Sequence, residues 1–388
     1  MQDAKREGAG SALQRYAILI GGAVGPFAGQ ALTSILENVS DTFEVTVEQA
    51  SLGITAYLGP FAIMMLFSSK LVEGRRLNRV VLGGFAIILA FSVILGFLGA
   101  WWWFLALYST MGVANAFTTP MLQSILKEIV PAKELGQALG TFAAMQSLGM
   151  LSAPLVSGLM ADFFDWRYTF LIIAALAAVV VTIGVPDVPR EASMKPAGAG
   201  KPPVGRTIAN FASCFAIGFG LVGIGAVIAL EAIRTYALNP SQAGLVVACG
   251  GAASFVLARI IGAIADRIGT KPVVIVALVL SAIAVLLVPV INTVWLLAAL
   301  WALATVGTQA VQTAVNVDIL NNPATVTLIS PVQAFRFIGV AAAPLLILPL
   351  YLANGAAAFV VSAACLVIAA ILQALFGVSS RISRCPID

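Results

Sequence analysis

Long apolar runs, each about long enough to cross a bilayer, alternate with short polar segments along the whole chain. A membrane-spanning helix needs about 20 mostly apolar residues, and the lipid core leaves backbone polar groups to be satisfied within the segment. The pattern therefore predicts an all-α integral membrane protein with twelve transmembrane helices. The predicted spans are residues 16–36, 49–69, 80–100, 104–126, 137–160, 167–185, 207–230, 243–264, 272–290, 294–316, 326–350 and 355–377.

The composition excludes an ordinary soluble domain. Of the 388 residues, 60% are hydrophobic and 10% are charged, whereas soluble domains carry about 25% charged residues. The chain has no histidine, so a histidine metal site or proton relay is excluded. The four cysteines show no CxxC spacing and are interpreted as packing residues or free thiols. We expect neither a metal nor a cofactor.

The basic residues predict the orientation in the membrane. With the N-terminus inside, 17 of the 21 lysines and arginines fall on the inner side of the predicted spans. This bias is typical of cytoplasmic loops, and it predicts a multi-pass protein of the cytoplasmic (inner) membrane with both termini in the cytoplasm. The net charge of +4 therefore indicates a ring of charge beside the membrane, with the lipid bilayer as partner, and not nucleic-acid binding.

A polar segment rich in proline and glycine divides the spans six and six. It predicts an N-terminal six-helix bundle (1–185), a cytoplasmic linker (186–206) and a C-terminal six-helix bundle (207–388). Three features recur in register: Gln49-Ala50 with Gln242-Ala243, Glu73 with Asp266, and the pair Gly149 and Pro154 with Gly339 and Pro344. The recurrence predicts a duplicated unit, an arrangement that in transporters places the substrate site between the halves.

The segment GAIADRIGTK after the eighth span resembles the cytoplasmic-loop motif of the major facilitator superfamily (MFS). The resemblance implies the MFS fold, with two pseudo-symmetric six-helix bundles, and alternating access of a small-molecule substrate. It also implies a cytoplasmic gate formed by Gly262, Asp266, Arg267, Gly269 and Lys271; a solvated charged turn is the alternative.

The N-terminal copy of that motif is degraded. Glu73 stands at the acidic position, but Gly74 replaces the arginine. Arg75 and Arg76 keep the basic character, and we assign them with Glu73 to the same gate. This part of the gate is expected to work more weakly or differently.

The fifth span contains GMLSAPLVSG, which resembles a motif of the superfamily's antiporters. The matching positions are Gly149, Ala153, Pro154 and Gly158. The resemblance favours an efflux-type, drug/H⁺ antiporter-like member, and helix packing by small residues is the alternative. One departure is Tyr108, which stands where proton antiporters of the superfamily usually carry an arginine.

Polar side chains recur along apolar spans and predict a wet substrate cavity, with interhelical hydrogen bonding as the alternative. Arg336 is placed about 15 Å into the eleventh span. Its guanidinium is a candidate for an anionic substrate group, or for an internal tie to a helix-end carbonyl, Asp318 or Glu73. The candidate cavity residues are Gln30, Thr33, Asn115, Thr119, Gln309, Gln312, Asn316, Gln333 and Arg336.

The predicted function is secondary active transport across the cytoplasmic membrane, first as proton-coupled efflux of drug-like or amphipathic metabolites. Glu37 and Glu231 are the candidates for carrying the proton. Uptake or exchange of a small organic anion bound by Arg336 is the alternative. A non-transporting receptor or assembly factor is the alternative of another class. We expect a monomer and no enzymatic activity, because no nucleophile–base pair or phosphate-binding loop is present.

Overall fold

The computed structural model describes residues 12–131, 135–188, 202–320, 322, 324–325 and 328–377. Every regular element in these ranges is a helix. The predicted linker 186–206 lies largely outside the described residues, as do the basic residues of both termini. The division into 1–185, 186–206 and 207–388 stays a prediction.

Fifteen α-helices are formed by the described residues, and two short 3-10 turns (Val222–Ile224 and Val288–Val290) accompany them. The α-helices are α1 Ala12–Gln30, α2 Leu36–Phe43, α3 Val47–Leu71, α4 Leu77–Leu95, α5 Trp101–Asn115, α6 Thr119–Ile129, α7 Leu135–Phe163, α8 Tyr168–Ile183, α9 Val204–Gly220, α10 Gly225–Tyr236, α11 Pro240–Ile268, α12 Thr270–Leu287, α13 Val294–Leu320, α14 Ile329–Ala353 and α15 Gly355–Phe376.

Nine helical stretches among the described residues are long and apolar enough to cross a membrane. The predicted spans that do not qualify are the first, fourth and sixth. The first and fourth are each divided into two helices, and the sixth is the 16-residue helix α8. The all-helical membrane architecture is confirmed, and the count of twelve spans stays a prediction.

Three predicted spans contain a break that hydropathy did not reveal. The first is interrupted at 31–35, the fourth at 116–118 and the seventh at 221–224. The residues at these breaks remain apolar or small, so the apolar run continues where the regular helix stops. Broken helices in membranes are tolerated only where protein or a water-filled cavity satisfies the backbone polar groups. The breaks therefore indicate that polar contacts to the backbone are formed there.

The described helices form two compact units. The first lies within Met1–Ser193 and Ile233–Ala248; in it α1 packs on α7 and α8, α3 packs on α5, and α4 packs on α8. The second lies within Met194–Ala232 and Cys249–Asp388; in it α9 packs on α14 and α15, and α12 packs on α13 and α15.

Close glycine contacts hold equivalent helix pairs in the two units. A Cβ atom on Gly149 of α7 would collide with the carbonyl oxygen of Ala23 in α1, and one on Gly339 of α14 would meet that of Phe215 in α9. Small residues allow this approach of backbones, which raises the dispersion attraction between helices in lipid. The repeated glycine therefore marks the same helix–helix contact in each unit.

Gly149→Leu is expected to destabilise the protein by about 1–3 kcal/mol or more, because the added side chain must push α7 away from α1. Gly140 on the same helix is the control, since a Cβ there would meet nothing within 4 Å. Thermal unfolding in detergent should show a clear loss for Gly149→Leu and little change for Gly140→Leu. Equal losses would mean that leucine acts through α7 itself and not through the contact with α1.

The glutamines that recur in the two halves, Gln49 and Gln242, each cap the N-terminus of a helix. The backbone N–H of Thr46 donates to Oε1 of Gln49, whose own N–H donates to the Thr46 hydroxyl. Asn239 and Gln242 make the same reciprocal pair before α11. Each pair is a capping box, which satisfies two backbone donors at the helix N-terminus.

The tryptophans at the start of α5 do not share one environment. Trp102 and Trp103 are exposed, as expected of interfacial anchors, whereas Trp101 is buried. Its ring stacks on Phe104 and lies 5.4 Å from Phe43, measured between ring centroids. Trp101 is therefore a core residue and not an interfacial anchor, because the first turn of α5 directs this side chain towards the aromatic core.

Candidate functional site

Arg336 of α14 lies buried in the second unit, with 8% of its surface exposed. Its Nη1 donates to Oε1 of Gln312 on α13 at 3.1 Å, and its guanidinium lies 4.4 Å from the ring centroid of Phe337. Its Nε is buried without a hydrogen-bond partner in the described structure. A guanidinium offers five donors, so this group has capacity left for an acceptor that it does not find among the described residues.

The amides beside Arg336 form a directed chain of hydrogen bonds. Gln312 accepts from Arg336 and turns its Nε2 towards Oε1 of Gln333 at 3.5 Å. Gln333 in turn donates to Oδ1 of Asn316 at 2.6 Å. The side-chain carbonyl of Gln312 thus accepts from the arginine, and four of the predicted cavity residues belong to one cluster between α13 and α14.

The cluster lies where α14 touches α9. A Cβ on Gly218 would collide with the carbonyl oxygen of Arg336, three residues before α9 breaks at Leu221. Because α14 begins at Ile329, Arg336 lies about 10 Å along the helix and not 15 Å. Arg336 is therefore nearer to the helix start than the sequence predicted, but it remains buried.

The hydrogen bond of Gln309 does not connect it to this cluster. Its Nε2 donates to the Thr313 hydroxyl on the same helix at 3.3 Å. Thr305 likewise donates to carbonyl oxygens of its own helix. The polar face predicted along the tenth span is therefore divided between interhelical bonds and bonds within α13.

In the first unit, the predicted cavity residues lie at the two helix breaks. Gln30 ends α1 and accepts from the Thr33 hydroxyl at 2.8 Å. Asn115 ends α5, and its Oδ1 accepts from Thr118 at 3.1 Å and from Thr119 at 3.0 Å. These polar side chains thus form hydrogen bonds at the ends of the interrupted helices.

Two buried tyrosines near these breaks were not predicted as site residues. The Tyr57 hydroxyl donates to the carbonyl oxygen of Gly25 at 3.2 Å, and that of Tyr108 donates to Ala28. Their rings lie 4.8 Å apart, measured between centroids. They add donors to carbonyl groups in the last turns of α1, and that of Ala28 also accepts from the backbone N–H of Ala31 at 3.3 Å. The sequence feature that could have indicated these residues is the presence of one tyrosine within each of two otherwise apolar spans.

The profile described as Major Facilitator Superfamily matches residues 18–211 and 207–384, which together span most of the chain. The chain belongs to the Major Facilitator Superfamily. The resemblance drawn from the loop motif is thereby confirmed, together with the superfamily's all-α membrane fold.

Individual relatives of this superfamily member are distant. An uncharacterised MFS-type transporter of Mycobacterium tuberculosis is 26% identical over 37% of this chain and 21% of its own length. The multidrug resistance protein MdtG of Salmonella typhi is 26% identical over 74% of this chain and 76% of its own. The crystal structure of a peptide transporter in complex with sulfate superposes with a TM-score of 0.77, at 11% identity and 93% coverage of both chains, which shows the fold.

The structure locates part of the MFS loop motif. Gly269 adopts a φ of +91°, which glycine tolerates, and it separates α11 from α12. Lys271 donates to the carbonyl oxygen of Ala374 at the end of α15, at 2.8 Å, and Arg267 is exposed. Gly262 and Asp266 lie on α11, and the side chain of Asp266 is outside the described part of the structure.

The degraded copy differs in its backbone as well. Gly74 has a φ of +74°, directly after Glu73, whereas Gly269 follows Asp266 by three residues. Arg76 forms an exposed ion pair with Asp187 at 2.7 Å, while Arg75 is exposed. The turn and its charges are thus arranged differently in the two copies.

The small residues of the fifth span contact two partners in the first unit. Gly149 meets α1, as described above, and a Cβ on Gly158 would collide with the carbonyl oxygen of Pro240 at the start of α11. The carbonyl oxygen of Pro154 accepts from the Ser34 hydroxyl at 2.6 Å, and Ala153 is fully buried. Helix packing accounts for all four positions of the motif.

The two candidate acids have different partners. Glu37 accepts from Nε of Arg234 at 2.8 Å in a partly exposed ion pair. Glu231 accepts from the Tyr351 hydroxyl at 2.7 Å in a partly buried position. A guanidinium neutralises the first carboxylate, whereas a neutral hydroxyl group donates to the second.

Proposed function

We propose that this protein is a secondary active transporter of the cytoplasmic membrane that exports a small amphipathic solute by alternating access. The observation that carries the proposal is the Arg336–Gln312–Gln333–Asn316 cluster, a set of converging polar groups inside apolar helices. A buried arginine with donor capacity left over is costly in a membrane and indicates a functional role. The relation to MdtG, named for multidrug resistance, supports export.

The chemistry of the cluster favours a solute with an anionic or strongly accepting group. The guanidinium fork suits a carboxylate or phosphate, while Phe337 and the amides can contact an uncharged remainder. We propose Gln309 and the polar groups at the breaks in the first unit, namely Gln30, Thr33, Asn115 and Thr119, as further contacts. Exchange or uptake of an organic anion remains the second candidate, because Arg336 would serve that direction equally well.

A thermal-shift screen of carboxylated and phosphorylated solutes on the purified protein tests this function. A solute that raises the unfolding temperature should then show counterflow in proteoliposomes, where internal solute accelerates entry of labelled solute. Binding without counterflow would favour the receptor or assembly-factor alternative. Counterflow of neutral or cationic solutes alone would contradict an anion site at Arg336.

We further propose that protons drive the transport, with the termini in the cytoplasm and Asp266, Arg267 and Lys271 acting with Glu73, Arg75 and Arg76 in the cytoplasmic gate. Between the two acids, Glu231 is the stronger candidate for the proton carrier. Its partner Tyr351 can accept from a protonated carboxyl group, whereas Glu37 would have to leave Arg234 to take up a proton.

Glu231→Gln is expected to abolish uphill transport driven by a pH gradient while leaving counterflow intact, because exchange needs no net proton movement. Glu37→Gln is the comparison: it removes the ion pair with Arg234 and should retain uphill transport. Flux of labelled solute into proteoliposomes, with and without a gradient, measures both. Uphill transport that persists in both variants would rule out both carboxylates as the coupling group.

A further inference from the structure

A groove of about 670 Å³ runs along the surface of the first unit between α4 and α5. One end is basic and the remainder is mostly apolar. We call it the arginine groove; its lining includes Arg75, Arg79, Gly83, Ile87, Val113 and Phe117. Arg79 lies in the first turn of α4, and Ile87 lies about 12 Å further along the helix.

Two adjacent glycines explain why the groove is open. A Cβ on Gly84 would lie 2.6 Å from Cγ2 of Thr118 and 3.2 Å from the carbonyl oxygen of Ala114, so α4 touches the end of α5 there. A Cβ on Gly83 would meet nothing within 4 Å. The helices are therefore in contact beneath the groove, while the missing side chain of Gly83 leaves its floor uncovered.

Positive charge is in excess at the basic end of the arginine groove. Arg76 is paired with Asp187, but the guanidinium groups of Arg75 and Arg79 make no ion pair within the described residues, and both are exposed. Glu73 is the acidic residue within this turn. The start of α4 adds the partial positive charge of a helix N-terminus.

We propose that the arginine groove binds one anionic phospholipid, with its phosphate between Arg75 and Arg79 and an acyl chain along Gly83 and Ile87. The basic end of the groove matches the charge of a lipid phosphate, and the length of the groove matches that of an acyl chain. Half of the hydrocarbon core is about 15 Å thick, so a groove about 12 Å long follows an acyl chain through most of one leaflet. A soluble anion would fill only the basic end. The site is separate from the transported solute and does not rest on the proposed function.

Native mass spectrometry of the delipidated full-length protein tests the proposal, with dioleoyl phosphatidylglycerol and dioleoyl phosphatidylcholine as probes. The unmodified protein should retain one phosphatidylglycerol about 25-fold more strongly than phosphatidylcholine. The double variant Arg75→Gln/Arg79→Gln should lose this preference, because each basic residue near an anionic lipid contributes about fivefold in affinity. Gly83→Phe should weaken retention of both lipids by filling the floor of the groove.

Lys127→Gln is the matched control, since it removes an exposed basic residue that does not line the groove. It should leave the lipid preference unchanged. The arginine variants change exposed side chains, so they keep the test decisive if Gly83→Phe does not fold. An unchanged preference after Arg75→Gln/Arg79→Gln would overturn the proposal. Displacement of the bound lipid by inorganic phosphate would also overturn it, because it would indicate an anion site without an acyl-chain contact.

Discussion

Replacing Arg336 by Gln is expected to weaken binding of the anionic solute by about 30-fold or more, because removing one member of a buried charge pair costs about 2–5 kcal/mol. The variant also leaves Oε1 of Gln312 without its donor at 3.1 Å. Titration of the purified protein with a solute from the thermal-shift screen measures the loss. Counterflow should fall in parallel, because the same contact is needed in each transport cycle.

Two further variants separate a substrate contact from a structural tie. Arg336→Lys keeps the charge but lacks the planar fork, so affinity should fall to a value between those of the wild type and of Arg336→Gln. Gln312→Glu places a carboxylate beside Nη1, and this internal anion should compete with the solute while the fold is kept. If both variants bind the solute normally and only the transport rate changes, Arg336 positions the helices and does not contact the substrate.

Asp318→Ala is expected to lower stability by about 3–5 kcal/mol, the cost of leaving one member of a buried ion pair alone. The carboxylate of Asp318 on α13 accepts hydrogen bonds from Nε of Arg206 at 2.8 Å and from Nη2 at 2.5 Å. It also accepts from the side-chain amide of Asn210 at 3.0 Å. Gln373 of α15 donates to Asn210 at 3.0 Å. The network therefore joins α9, α13 and α15, and its loss should appear in unfolding by sodium dodecyl sulfate in mixed micelles.

The exposed pair Arg76–Asp187 provides the control for this prediction. The side chains of Arg206 and Asp318 are 10% and 7% exposed, whereas those of Arg76 and Asp187 are 61% and 42% exposed. Arg76→Ala should change stability by about 0–1 kcal/mol, because water and salt screen surface pairs. The double variant Arg206→Met/Asp318→Leu should recover much of the loss, because no buried charge is left alone. Similar effects of Asp318→Ala and Arg76→Ala would contradict a buried pair.

The candidate site was only partly predictable. Periodicity placed Gln312 and Asn316 on one face of a helix and put Gln333 one turn before Arg336, and the structure joins these four residues. The same reasoning included Gln309, which bonds within its own helix. Phe337 was missed, although it directly follows Arg336. A helical pattern states which residues share a face, but not which neighbouring helix that face meets.

Arg206 shows a second limit. By sequence it belonged to the basic linker, because a positive charge beside a span is the usual sign of the cytoplasmic side. The structure buries it against Asp318, which had been considered as a partner for Arg336. The sequence suggested Asp318 as a partner for Arg336, and only the packing of α9 on its neighbours assigned it to Arg206.

The sequence by itself determined that the chain is helical, lies in a membrane and carries the superfamily's loop motif, because hydropathy and short motifs are local properties. The tertiary structure decided where α1, α5 and α9 stop. Those breaks leave the apolar pattern intact, and carbonyl groups near the end of α1 accept from residues distant in the chain, Tyr57 and Tyr108. It also decided which buried charges are paired, since desolvation and partner geometry depend on neighbouring helices that no local pattern specifies.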